Sequence, residues 1–247
     1  MRTSLFLVPL LAACSYPRYV ATKTVEYAIP ATSTTNLLCQ THNGHITVTG
    51  ESNTSQIEVR AELSVRGYTK DEADANLHLV EVGREQKDGT LRLFVKYPQD
   101  DLFDCSPAGS FVLRVPRELA CGLESHNGRL TLRGTRGNAR LETHNGSIDA
   151  TVEGTEVETT THNGDIRLAL AGSDPIRAEV RSHNGSIEMS LPENIGTMLD
   201  ASTHNGKVVW PERVVDATYK KRSLRGRIGD GTGSLTISTH NGNVKIH

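Results

Sequence analysis

The amino-acid sequence predicts an all-β fold, a β-solenoid (β-helix-like) whose repeats of 18–21 residues stack on one another. The tripeptide His-Asn-Gly occurs seven times, and five consecutive copies are separated by 18 or 21 residues. Apolar and polar residues alternate on both sides of each copy. A near-constant period is typical of stacked repeats, and strict alternation indicates strands with one buried face.

Asn-Gly is predicted to form the turn between the two strands of each repeat, because both residues accept positive φ. Two architectures share this side-chain pattern: a meander of antiparallel hairpins, or parallel coils that stack as a solenoid. The near-identity of the repeats favours stacking, in which Asn side chains form an amide ladder. The predicted turn residues are Asn43, Gly44, Asn127, Gly128, Asn145, Gly146, Asn163, Gly164, Asn184, Gly185, Asn205, Gly206, Asn241 and Gly242.

The residue before each His always carries a hydroxyl, and it shares its side of the strand with apolar residues two and four positions earlier. The hydroxyl is therefore expected to face the core and the His to face solvent. Stacked repeats would then present an exposed column of imidazoles about 4.8 Å apart. The expected members are His126, His144, His162, His183 and His204. His42 and His240 would extend the column at its two ends if the insertion and the long last gap keep the register.

Three interpretations of this column stay open. His is a tolerated turn residue, because it visits positive φ more readily than most residues. Alternatively, neighbouring rungs offer nitrogens to weakly bound Zn, Cu or Ni, with Glu124, Glu142 or Asp165 adding an oxygen. In the third interpretation the column senses pH, because protonated imidazoles repel one another. No other cofactor is expected.

Residues 1–13 are predicted to be a lipoprotein signal peptide. Arg2 precedes a short apolar run, and Leu11-Ala-Ala-Cys14 follows. This segment resembles a bacterial lipoprotein signal, and the resemblance implies cleavage before Cys14 and acylation of its thiol, for example by palmitate. Because Ser15 rather than Asp follows Cys14, we expect anchoring at the outer membrane, on either its periplasmic or its surface face. Residues 14–35 are expected to be a linker.

Residues 36–247 are expected to form a single solenoid domain, with an insertion or cap at 56–110 and the main repeats at 111–247. The cap would cover the edge of the first coil, which otherwise invites aggregation.

Within this cap, Gln56–Val65 and Leu91–Tyr97 alternate like strands. Thr69–Glu72 is a capping box that predicts one helix, about Lys70–Leu79, with Ala73, Ala75 and Leu77 as anchors. The segment 98–110 is expected to be a loop.

The sequence Thr-His-Asn-Gly-Asp-Ile at 161–166 resembles the signature Thr-x-Asn-Gly-Asp-Ile of a large bacterial family. Its members are secreted or lipid-anchored β-strand-repeat proteins, described as adhesins of unknown function. Residues 111–117 are similar to the family's opening strand, and 229–242 resemble its closing repeat. The resemblance implies a right-handed β-solenoid-like fold without catalytic residues. This chain departs from the signature because the variable residue before Asn is His in every copy.

Composition excludes several classes of function. The 27 Lys and Arg nearly balance 29 Asp and Glu, which argues against a nucleic-acid binder. Aromatic residues make up 4%, so an aromatic platform for sugars or bases is not expected. No hydrolase, zinc-protease or phosphate-binding motif occurs. The pairing of Cys39, Cys105 and Cys121 stays open. The densest basic run is predicted to be a solvated loop: Lys220, Lys221, Arg222, Arg225 and Arg227.

The sequence therefore predicts a non-catalytic, lipid-anchored protein of the bacterial cell envelope, adhesin-like or structural. Its expected partners are the membrane, through the N-terminal lipid, and an unidentified envelope protein or polysaccharide. The alternative function is low-affinity transition-metal binding or sensing through the His column.

Overall fold

The computed structural model describes residues 19–98, 105–172 and 175–247. The strands form two sheets, of 10 and 11 strands, which enclose a shared apolar core. The predicted signal peptide, Cys14 and the first residues after it lie outside the described residues. Among the described residues, no helix is both long enough and apolar enough to cross a membrane.

One sheet, sheet A, has the strand order β1-β4-β7-β3-β9-β11-β13-β15-β21-β17. Its strands are β1 (Tyr19–Pro30), β3 (Ile46–Glu51), β4 (Gln56–Gly67), β7 (Ser106–Pro116), β9 (Leu130–Thr135), β11 (Ile148–Val152), β13 (Ile166–Leu170), β15 (Ile187–Ser190), β17 (Val208–Val209) and β21 (Val244–Ile246).

The other sheet, sheet B, has the order β18-β19-β16-β20-β14-β12-β10-β8-β2-β6-β5. Its strands are β2 (Asn36–Asn43), β5 (Glu81–Lys87), β6 (Thr90–Lys96), β8 (Ala120–Asn127), β10 (Ala139–Asn145), β12 (Glu156–Asn163), β14 (Arg177–Asn184), β16 (Thr197–Asn205), β18 (Val215–Lys220), β19 (Ser223–Ile228) and β20 (Gly233–Asn241).

The repeats are parallel coils, as the sequence predicts. In sheet B, β10 pairs in parallel with β8 and β12, so that Leu141 lies opposite Leu123 and Thr159. In sheet A, β11 pairs in parallel with β9 and β13. A rung therefore consists of one strand from each sheet, joined at the Asn-Gly corner. The parallel pairing excludes the hairpin meander.

The inward residues of the rungs form the core. The Thr or Ser that precedes the His of each tripeptide is buried. The residues two and four positions before that Thr or Ser are buried as well. The large exception is Trp210 near the C-terminal end, which is half-buried and lies 5.0 Å from the ring of Tyr219. Alternation in the sequence thus correctly predicted which side of each strand faces inward.

The order of the last rungs differs from their order in the chain. β20 lies between β14 and β16 and pairs in parallel with both, and β21 likewise lies between β15 and β17. The preceding strands β18 and β19 form an antiparallel hairpin, and β19 pairs with the outer edge of β16. The long last gap therefore holds a hairpin, and the predicted solvated loop at 220–227 is wrong.

The N-terminal end extends both sheets past the first rung. β7 pairs in parallel with β3, β4 pairs antiparallel with β7, and β1 pairs antiparallel with β4. The expected linker at 14–35 is thus wrong over β1. The expected loop at 98–110 is wrong from Ser106 onward, where β7 begins. In sheet B, β6 and β5 continue the sheet beyond β2.

The single helix among the described residues is α1 (Lys70–Leu77). Thr69 caps it and forms the predicted capping box with Glu72. Only Ala73 of the three expected anchors is buried. The helix ends two residues before the predicted end, and its side chains contribute little to the core.

Candidate functional site

The corners of the seven rungs are locked by a ladder of asparagine amides. Each Asn donates its side-chain N–H to the side-chain oxygen of the Asn on the adjacent rung, at 2.7–2.8 Å. At one end Asn43 donates to the carbonyl of Pro107, and at the other Asn205 donates to Asn241. The ladder therefore fixes the residue-by-residue register between adjacent rungs.

The glycine of each corner is required by close backbone contact. A Cβ on Gly146 would overlap the carbonyl oxygen of Gly128, and the same overlap recurs along the column. All seven tripeptides lie in the described residues, and only Gly44 and Gly242 have φ between 20° and 160°. No His or Asn of a tripeptide has positive φ. The expectation that Asn and His serve by tolerating positive φ is therefore wrong.

The buried hydroxyls form a second ladder beneath the corners. Each Thr or Ser before a His donates to a glycine carbonyl on the adjacent rung, at 2.8–3.1 Å. This bond explains why a hydroxyl occupies a position that otherwise shares its environment with apolar residues.

The seven histidines of the His-Asn-Gly tripeptides are exposed and stacked face to face, and we call them the His column. Adjacent ring centroids lie 4.5–4.9 Å apart and adjacent ring planes differ by 1–6°. The expected five-member order is corrected at its end, because His240 lies between His183 and His204. In space the column runs His42, His126, His144, His162, His183, His240 and His204.

A shallow groove of about 1120 Å³ runs beside the column. We call it the column groove. One wall consists of the six column histidines from His42 to His240, and the floor includes the outward residues two positions before each of these six. At its β6 end lie residues that no pattern in the sequence singles out. They are Arg92, Phe94, Lys96 and Tyr97.

The opposite end of the column carries a cluster of positive charge. The turn of the β18–β19 hairpin packs on the last rung, where the Thr203 N–H donates to the Arg222 carbonyl at 3.0 Å. The Arg222 guanidinium donates to the carbonyl of His204. Lys207, Lys220 and Lys221 are exposed around this corner. We call Lys207, Lys220, Lys221 and Arg222 the basic corner.

The electrostatics of the column disfavour protonation of His126. The pKa of His126 is lowered, first because neighbouring rings remove solvent and then because charge on His42 and His144 would repel a proton. The two carboxylates of the groove are engaged: Glu124 accepts from the Gln40 amide at 2.5 Å, and Glu142 lies 3.6 Å from the Arg140 guanidinium.

The stacked rings do not converge on an ion. A zinc–nitrogen bond is about 2.0–2.1 Å long and lies in the ring plane. The rings of His144 and His162, for example, are nearly parallel and their centroids lie 4.7 Å apart. The nitrogen lone pairs of such rings point in parallel directions and do not meet at one ion position. Among the described residues, no group of three or more His, Cys, Asp or Glu is placed to hold a metal. The Asp165 carboxylate, an expected ligand, accepts from the Ser186 N–H at 2.8 Å.

The thiols lie away from the column groove. Cys39 and Cys121 are buried on adjacent strands and are not joined by a disulfide. Burial raises the pKa of Cys39 well above its usual value and that of Cys121 to about 12. These two thiols are therefore protonated, inert core groups at neutral pH.

Comparisons with known proteins agree with this architecture. The sequence model of the Toastrack DUF4097 family matches residues 17–247. A "putative cell adhesion protein" from Clostridium sporogenes is 12% identical, with a TM-score of 0.53 over 92% of this chain and 99% of its own. A "putative adhesin" from Bacteroides fragilis is 13% identical, with a TM-score of 0.40 over 91% and 97%. No curated protein matches the chain.

Proposed function

We propose that this chain, which belongs to the Toastrack DUF4097 family, is a non-catalytic, lipid-anchored envelope protein that binds a surface partner in the manner of an adhesin. The observation that carries the proposal is the column groove, which follows six of the seven stacked histidines along the solenoid. Its rungs are locked by two hydrogen-bond ladders, and within residues 19–98, 105–172 and 175–247 no carboxylate pair lies isolated in a deep cleft. The structural neighbour from Clostridium sporogenes bears a name that also points to adhesion.

The two ends of the solenoid suit a protein that presents a surface away from a membrane. β1, the first described strand, is an edge strand at one end, and the β18–β19 hairpin lies at the other. Sheet B, with 11 strands, spans roughly 48 Å at about 4.8 Å per strand. An acylated Cys14 would therefore hold the molecule by the end opposite the basic corner.

The anchor is tested by Cys14→Ser in cells that express the full chain. The wild type is expected in the membrane fraction and to incorporate labelled palmitate, whereas the variant is expected in neither the membrane fraction nor the labelled pool. Membrane retention of the variant without label would contradict the anchor.

Adhesion is tested by comparing attachment of expressing and non-expressing cells to wells coated with matrix proteins or purified polysaccharides. We expect attachment to at least one coating and loss of that attachment in the Cys14→Ser variant. Equal attachment of both strains to every coating would contradict an adhesin-like function.

Transition-metal binding is a second candidate, favoured by seven exposed imidazoles in one line. Because the stacked rings do not converge, binding requires rings to rotate out of the stack, and weak affinity is expected. Titration with Zn, Cu and Ni of the wild type and of a variant with His144, His162 and His183 changed to Gln tests it. Equal titration curves would remove this candidate.

A further inference from the structure

We propose that the column groove binds a linear, carboxylate-bearing polysaccharide, with successive sugars on successive rungs and tighter binding at mildly acidic pH. The proposal rests on the proposed surface-binding function and names its ligand class. The geometry of the rings, the polarity of the groove and the charges at its ends each support it.

The His column is a linear array of identical hydrogen-bonding groups. Because the rings stack on their faces, their edges, which carry the ring nitrogens, remain available to solvent. The six spacings of 4.5–4.9 Å place seven edges along about 28 Å. An extended pyranose chain advances by a comparable length for each sugar. One chain can therefore repeat the same contact on every rung.

The floor of the groove is polar, which suits a hydrated chain rather than an apolar peptide or a lipid tail. The residues two positions before six of the seven column histidines provide amide, hydroxyl, carboxylate and guanidinium groups that can pair with sugar hydroxyls. They are Gln40, Glu124, Glu142, Thr160, Arg181 and Ser238. At the β6 end the Arg92 guanidinium lies over the Phe94 ring, 4.6 Å from its centroid, and half-buried Tyr97 also lines the groove.

The charges favour an acidic chain over a neutral one. Lys96 is exposed at one end of the groove, and the basic corner lies beyond the other end, at His204, which stacks on His240. The two groove carboxylates already have partners in Gln40 and Arg140. The remaining charged residues that line the groove are Arg92 and Arg181. Beyond the Asn-Gly corners lie His45, Arg129 and Asp165.

Protonation would convert the column into a row of positive charges. Imidazole ordinarily titrates near pH 6.5, and unliganded neighbouring rings oppose each other's protonation. A carboxylate on each second or third sugar would offset this repulsion. Proton uptake and ligand binding are then linked, so that affinity rises as pH falls.

Calorimetric titration of the full chain in detergent with hexagalacturonate, at pH 7.5 and pH 5.5, tests the proposal. Cellohexaose serves as the neutral probe. We expect hexagalacturonate to bind at least tenfold more tightly at pH 5.5, and cellohexaose to bind more weakly without pH dependence. Similar binding of the two probes at both pH values would overturn the choice of an acidic ligand.

The variant H144Q/H162Q/H183Q tests whether the ligand binds at the His column. We expect it to bind hexagalacturonate at least tenfold more weakly than the wild type at pH 5.5 and to lose the pH dependence. A matched control carries Gln at Thr131, Thr151 and Ala169, on the outward side of neighbouring sheet A strands, and should bind like the wild type. Unchanged binding by the His variant would overturn the proposal.

Cell attachment separates the failure of this proposal from failure of the proposed function. Attachment that persists in the His variant and is not inhibited by hexagalacturonate would leave an adhesin-like protein with a different ligand. Absence of attachment to any coating would instead count against the proposed function itself.

Discussion

The rungs that carry His126 to His183 follow one another in space as they do in the chain, whereas the rungs of His240 and His204 are exchanged. Both sets obey the same local pattern, the same Asn ladder and the same hydroxyl bonds. The cross-section of a rung is therefore encoded locally, but its place in the stack is not. That place depends on the path of the segment that connects one rung to the next.

The exchange follows from the hairpin. After β17 the chain returns along the outer edge of β16 as β19, and the turn at Gly229–Gly231 then passes the start of β16. The Gly233 N–H donates to the Gly196 carbonyl at 2.8 Å on the other side. The final strands thus enter between two rungs that precede them in the sequence. The inner rungs pair with rungs that are adjacent to them in the sequence. The rung of β16 and β17 instead pairs with the C-terminal strands β20 and β21.

Deletion of residues 231–247 is expected to have the largest effect. It removes β20 and β21 and with them the contact between β14 and β16, so β16, β18 and β19 should lose their structure. The inner rungs should persist, because coils of a solenoid depend mainly on adjacent coils. Native-state hydrogen exchange of the full and shortened chains measures this. Equal loss of protection in β8–β13 would show that the two regions fold as one unit.

Gly146→Ala is expected to destabilise an inner rung by about 3 kcal/mol, because the new methyl group overlaps the carbonyl oxygen of Gly128 and the rungs must separate. Gly122→Ala is the matched control on an adjacent strand. Its Cβ would meet only the side-chain tip of Leu38 at 3.2 Å and the carbonyl of Leu37 at 3.7 Å. Urea unfolding of both variants gives the comparison, and similar losses would contradict the role assigned to close backbone contact.

Asn163→Ala should cost about twice as much as Asn205→Ala. Asn163 donates to Asn145 and accepts from Asn184, whereas Asn205, at the end of the ladder, only donates to Asn241. With about 0.5–1 kcal/mol for each exposed amide bond, the expected losses are about 1–2 and 0.5–1 kcal/mol. Chemical denaturation would decide; a larger loss at the end position would indicate that Asn205 also holds the exchanged rung in place.

The pH dependence of stability tests the effect of the two rings that flank His126. The pKa of His126 is lowered in the folded state, so the unfolded chain binds its proton at higher pH. The unfolded state therefore holds more protons, and stability falls as pH drops below the ordinary imidazole value near 6.5. We expect a lower Tm at pH 5.0 than at pH 7.5.

Substitution of single column members tests the origin of this fall. His126→Gln, with a ring on either side, should reduce the pH-dependent fall more than His204→Gln, which has only His240 beside it. Equal effects of the two variants would assign the fall to groups outside the column.

Much of this structure could be predicted from the sequence because its determinants are local. Alternation around each His fixed which side chains are buried, and Thr69 with Glu72 marked the start of α1. The repeat spacing indicated a stack, and the stack placed the imidazoles in a column. Each of these inferences needs only residues within one repeat or at the same position in the next.

What the sequence could not supply depends on contacts between distant segments. Val215–Lys220 is exposed throughout, so it lacks the burial pattern that marks a strand, and its partner β19 is buried on one side only. β1 pairs with β4 although β2 and β3 lie between them in the chain. The walls of the column groove at Phe94 and Tyr97 come from the insertion. No local signal assigns these segments to their neighbours.

Thr159→Val is expected to have a small effect of the opposite sign. Thr159 lies between Leu141 and Val180 in an apolar column of the core, and its hydroxyl is buried without a hydrogen-bond partner among the described residues. Removing an unsatisfied polar group should raise the free energy of unfolding by about 1 kcal/mol. The matched change Thr161→Val, two residues later, removes a hydroxyl that donates to the Gly146 carbonyl at 2.9 Å and should cost about 1 kcal/mol. Guanidinium unfolding of the pair measures both. Because the two threonines share a strand and a face, effects of the same sign would mean that hydroxyl pairing does not govern which inner positions of a rung accept Thr.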